Sequence, residues 1–174
     1  MNAVQRYNHK DAGIVGFAGE TSPVYASVAH GQLTPLQINA LAITCKTFFQ
    51  QNYITISPNL NIKLGDIAVA YQNELSNYLM NYELFFINTD ITIPYDRAYD
   101  AIDENEKIIL VNIPQGKLHV KQLYGLAVLL RLENVKDIHL INDRGFLFMH
   151  NVAGRFDVLR QGVEELGFQL QAII

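Results

Sequence analysis

Asparagine and aspartate side chains close three apolar runs, Glu83-Leu-Phe-Phe-Ile-Asn88, Ile108-Ile-Leu-Val-Asn112 and Ile138-His-Leu-Ile-Asn142, with Asp90 and Asp143 just beyond two of them. Gathered at one edge, such groups suit a small polar ligand. A carboxylate serves as general acid or base or as a Mg²⁺ ligand, and an amide orients the ligand by donating and accepting hydrogen bonds. Pro114-Gln-Gly116-Lys117 follows the second run, where backbone N–H groups and a lysine ammonium would meet a phosphate. The candidate ligand set is therefore Asn88, Asp90, Asn112, Gly116, Lys117, Asn142 and Asp143, with a nucleotide-like molecule as one occupant. The competing reading of each is a turn residue, because Asn and Asp bond nearby backbone and tolerate left-handed conformations.

No complete catalytic or metal-binding signature accompanies these residues. Asn88-Thr-Asp90-Ile-Thr92 resembles the D-x-D-x-T signature of the haloacid dehalogenase family, but position 88 is Asn, which has no anionic oxygen to attack with, and membership is rejected. Gly13-Ile-Val-Gly16-Phe-Ala-Gly19 lacks the spacing of a dinucleotide loop and the helix behind it. His9, His30, His119, His139 and His150 show no zinc spacing. The serines stand in no nucleophile elbow, and Cys45 falls on the apolar side of a helical segment, where a thiol is inert packing. No catalytic residue, metal or cofactor is expected.

Tyr71, Tyr78 and Tyr82 form an aromatic line along one helical pattern, joined by Tyr124 on another. Tyrosines that keep one end wet either rim a core or form a contact surface with a partner or a second copy.

The elements that must hold these residues follow from periodicity. The three asparagine-ended runs, spaced about one helix and strand apart, read as parallel strands buried on both faces. Helices are expected over 35–51, 64–81, 95–103, 117–134 and 152–166. The first opens with a capping box at Thr34-Pro-Leu-Gln37, and the last closes on Gly167. Residues 13–28 read as an N-terminal hairpin, 53–56 as an edge strand, and Asn142-Asp-Arg-Gly145 as a hairpin turn into an antiparallel return over 146–149. The expected fold is α/β, a mostly parallel twisted sheet of about five or six strands with helices on both faces. No linker or repeat is read, so 1–174 is taken as a single domain.

Composition narrows the partners. A formal charge of −4 with scattered basic residues gives no footprint for nucleic acid. The most apolar helical stretch falls far short of the ~20 residues needed to span a bilayer. A lone cysteine and a polar N-terminus suit the cytoplasm. Charged residues make up 17% of the chain against about 25% in typical domains, which leaves surface for association. The leading expectation is a non-enzymatic cytoplasmic protein that works through protein–protein contact as a regulator, adaptor or inhibitor-type partner, and that self-associates. The alternative is an enzyme or sensor holding a small polar ligand at the strand ends.

Overall fold

The computed structural model describes residues 20–28, 31–49, 51–92, 107–142, 145–150 and 155–173. In chain order its elements are β1 (Thr21–Val28), β2 (Gln32–Leu33), α1 (Pro35–Phe48), β3 (Tyr53–Ile56), β4 (Ile62–Ala68), α2 (Gln72–Met80), β5 (Leu84–Ile87), β6 (Lys107–Asn112), β7 (Lys117–His119), α3 (Val120–Leu132), β8 (Ile138–Asn142), β9 (Gly145–His150), α4 (Phe156–Glu165) and β10 (Gln169–Ile173). The strands form two five-stranded sheets, ordered β5-β1-β4-β3-β7 and β10-β6-β9-β8-β2.

Among the described residues every strand pairing is antiparallel, which overturns the expected mostly parallel sheet. Two of the asparagine-ended runs misled because they are apolar on both faces while only one face is covered. In β8, Ile138 and Leu140 are buried and Ile141 is half-buried; in β5, Leu84 is buried and Phe85 is 54% exposed. β6 and β8 do run in the same direction, but β9 lies between them, and β5 belongs to the other sheet.

Each sheet is built from a β-α-β-β-α-β unit in the split arrangement, where the second hairpin strand inserts between two strands joined by a crossover helix. The two units repeat one another, contrary to the expectation of no repeat. Gly31-Gln-Leu-Thr-Pro-Leu-Gln37-Ile-Asn-Ala-Leu-Ala42 aligns with Gly116-Lys-Leu-His-Val-Lys-Gln122-Leu-Tyr-Gly-Leu-Ala127. Gly31 and Gly116 share a left-handed backbone, φ 66° and 64°, which glycine adopts without steric cost. Thr34 and His119 each cap their helix in a box with Gln37 or Gln122. Each glutamine then donates through Nε2 to the carbonyl ahead of its unit's last strand, Gln37 to Tyr82 at 3.0 Å and Gln122 to Leu166 at 3.2 Å.

The units are interlocked. The short strand before each first helix joins the other unit's sheet: β2 pairs with β8, placing Leu33 opposite Ile138, and β7 pairs with β3, placing Leu118 opposite Ile54. Both leucines are buried, α1 packs on α3, and the inward-facing residues of the two units belong to one continuous core.

Other boundaries differ for identifiable reasons. Residues 64–68 are strand rather than helix: a β-bulge, where Val24 pairs with Gly65 but Tyr25 with Lys63, breaks the two-residue alternation. Ile62, Leu64 and Ile67 are consequently all buried, with a spacing that imitates a helix. Residues 23–28 lie within β1, an inner strand rather than an edge one, residues 13–19 of the expected hairpin lie outside the described residues, and β3 is covered by β7. The hairpin of β8 and β9 stands as read. The proposed helix at 95–103 lies outside the described residues.

Candidate functional site

The residues singled out from the sequence fall in three places. Asp90 follows β5 and is held by the turn between β3 and β4. Its Oδ1 accepts from Ser57 Oγ at 2.7 Å and Asn61 Nδ2 at 2.8 Å. Asn61 also donates to the Ile91 carbonyl at 2.8 Å, Asn59 donates to the Asp90 carbonyl at 3.0 Å, and Thr92 donates to Asn59 at 2.7 Å. This is a clasp that ties residues 90–92 to the turn, with Asn61 fully buried at its centre. Asn88 is exposed before it and accepts a long bond from Thr89, at 3.5 Å.

Gly116 and Lys117 stand at the strand exchange. Gly116 donates to the Ile113 carbonyl at 2.9 Å, and Lys117 Nζ lies 5.1 Å from the centre of the Tyr53 ring. His119 meets the same ring edge-on at 6.3 Å.

Asn112 and Asn142 lie on the strands that flank β9, both in register with Gly145. Asn112 and Gly145 border an open depression of about 470 Å³ on the second sheet, with apolar walls at Leu110, Ile141 and Leu170 and two further amides, Gln169 and Gln171. Asp143 lies outside the described residues. The six described candidates thus occupy separate regions rather than one strand edge.

The tyrosines rim the core. Tyr71, Tyr78, Tyr82 and Tyr124 are half-buried against it. Tyr78 packs between Phe48 and Tyr82 with its ring tilted to both, at 5.8 and 5.3 Å, and Lys46 Nζ sits 5.7 Å from the Tyr124 ring. Burial, reinforced by the hydrogen bond and charge of Tyr82, pushes the Tyr78 hydroxyl well above the usual phenol range. Cys45 is fully buried, its Sγ donating to the carbonyls of Gln51 and Tyr53, and burial pushes its thiol up to about 11. It is chemically quiet at neutral pH.

A surface that the sequence did not disclose lies where α1 meets α3. Thr34, Pro35, Leu36 and Asn39 on one side and Ala127, Val128 and Arg131 on the other border an open groove of about 380 Å³. Leu36 is 60% exposed, Val128 56%, and Leu132, one turn beyond Val128, 66%. The internal repeat provides a comparison within the same molecule: Leu36 corresponds to Lys121, Val128 to Ile43 and Leu132 to Thr47, while Asn39 corresponds to Tyr124.

Comparison with protein-family models, curated proteins and solved structures finds no match. Among the described residues, no helix is long and apolar enough to cross a membrane, and no three His, Cys, Asp or Glu side chains gather as metal ligands. The α1–α3 groove offers apolar area with a cationic rim, and the second sheet offers neutral amides.

The signal for the groove lay in helix α3, apolar around most of its circumference. That reads as a helix covered on two sides, yet Val128 and Leu132 face outward.

Proposed function

We propose that the protein is a non-catalytic binding protein that acts by protein–protein contact, and that a second copy of the chain docks on the α1–α3 groove. The observation that carries this reading is the asymmetry between two equivalent surfaces. The fold tolerates lysine and threonine at positions 121 and 47, so nothing in its packing demands exposed leucines at 36 and 132. Clustered exposed apolar residues rimmed by polar ones mark interaction sites. The groove continues the α1–α3 junction outward, so two copies related by a two-fold axis present like apolar surfaces to each other, an isologous contact. The free, buried Cys45 accords with a reducing compartment, and the reading places the protein in the cytoplasm.

Light scattering across a concentration series tests this. The dimer mass is expected for the native chain and the monomer mass for Val128→Glu with Leu132→Glu, while Thr47→Glu on the equivalent surface leaves the dimer intact. A monomer at every concentration, or a dimer indifferent to the first two substitutions, overturns the reading.

A further inference from the structure

The depression on the second sheet has a counterpart on the first, and that counterpart is filled by the chain itself. Registers fix the correspondence: Ser27 pairs with Phe85 as Asn112 pairs with Gln169, and Ile56 with Ile62 as Leu140 with Phe146. Ser57 and Asn61 therefore correspond to Ile141 and Gly145, both of which line the depression. In the first unit this place is taken by residues 90–92, through the Asp90 carboxylate and the Asp90 and Ile91 carbonyls. Ser27 is fully covered there, whereas Asn112 is only half-buried.

From this internal template we infer that the depression is a binding site for an uncharged, extended peptide segment of a partner protein, lying where residues 90–92 lie on the first sheet. Ile141 and Gly145 replace the hydroxyl and amide that grip Asp90, so the carboxylate grip is gone, and Gly145 carries no side chain to fill the floor. The polar groups instead stand on β6 and β10, at Asn112, Gln169 and Gln171. Each primary amide donates and accepts, matching the alternating N–H and C=O of a peptide main chain. Among the described residues, no cationic or aromatic side chain lines the depression. Asn112 and Gln169 already hold each other in a long bond of 3.5 Å, which a ligand would shorten or replace. The site lies on the sheet and does not depend on the α1–α3 groove.

The test is a titration of the ¹⁵N-labelled full chain with an acetylated, amidated peptide of residues 87–92 carrying D90N, followed by NMR up to about 5 mM, a range suited to millimolar affinity. Saturable shifts of the side-chain amide signals of Asn112, Gln169 and Gln171 are expected. Asn112→Ala and Gln171→Ala, which leave the core untouched, should each weaken binding about fivefold, the loss of one hydrogen bond. Absence of saturable shifts, shifts unaffected by both substitutions, tighter binding of the unsubstituted acidic peptide, or acetamide binding as well as the peptide would each overturn the inference.

Discussion

At the scale of single residues, Asp90 shows how a chemically suggestive side chain is absorbed by structure. Its position after an apolar run suggests an acid, base or metal ligand, and its carboxylate instead accepts from Ser57 Oγ and the buried Asn61 Nδ2. Removing one partner of a buried hydrogen-bonded set costs more than the bond itself, about 1–3 kcal/mol. Asp90→Ala is therefore expected to lower unfolding free energy in urea by about 2 kcal/mol, and no measurable loss would show that the clasp carries no load. Cys45 gives a pH signature. Its thiol is raised to about 11 in the fold from an ordinary 9.0, so the folded state holds the proton more tightly than the unfolded chain. That contribution is complete below pH 9 and is lost as pH climbs from about 9 to about 11. The stability of the native protein relative to Cys45→Ala should fall across that window, measured by denaturation at each pH. A constant difference contradicts the burial account. Such partners were invisible in sequence because Ser57 and Asn61 are about thirty residues from Asp90, and nothing local marks a turn that reaches so far.

At the scale of elements, legibility followed how local the cause was. The capping box of α1 was read correctly because Thr34 and Gln37 settle it between themselves. Gly167 ends α4 at φ 81° as expected, since the C-terminal turn is also a local matter. The strand at 62–68 was missed because a bulge set by pairing with β1 altered its phase. Close approach of helices was equally hidden. A β-carbon on Gly125 of α3 would lie 2.2 Å from Leu166 Cδ2, and one on Gly162 of α4 would lie 2.6 Å from Leu129 Cδ1. Each glycine thus receives a leucine from the other helical segment of the same unit. Alanine at position 125 gains about 1 kcal/mol of helix propensity and loses about 1–3 kcal/mol to overpacking. Gly125→Ala is expected to destabilise by about 1 kcal/mol in urea unfolding, and a more stable variant would show that the leucine moves aside freely.

At the scale of the whole molecule, the organising fact is duplication with strand exchange. Two split βαβ units trade β2 and β7, so Leu33 and Leu118 complete each other's sheets and one core serves both. The repeat was partly legible in Gly31-Gln-Leu against Gly116-Lys-Leu and in the shared Gln37 and Gln122. It went unread because the two units diverge elsewhere, and divergence is where function resides on this account. One unit fills its sheet surface with Asp90 and the other leaves an amide-lined depression; one helix surface carries Lys121 and Thr47 and its twin carries Leu36 and Leu132. The seven ligand candidates were legible as polar strand ends but not as a group, because grouping depends on strand order, and β9 and β4 enter each sheet only after the strands they separate.

The most direct test of contact through the α1–α3 groove is methyl-resolved NMR on a dilution series of the native chain. The account predicts that the methyl signals of Leu36, Val128 and Leu132 shift progressively with concentration, while those of Val69 and Val158, equally exposed elsewhere, stay fixed. Groove signals that hold constant across the series, or shifts centred on Val69 or Val158, would contradict it.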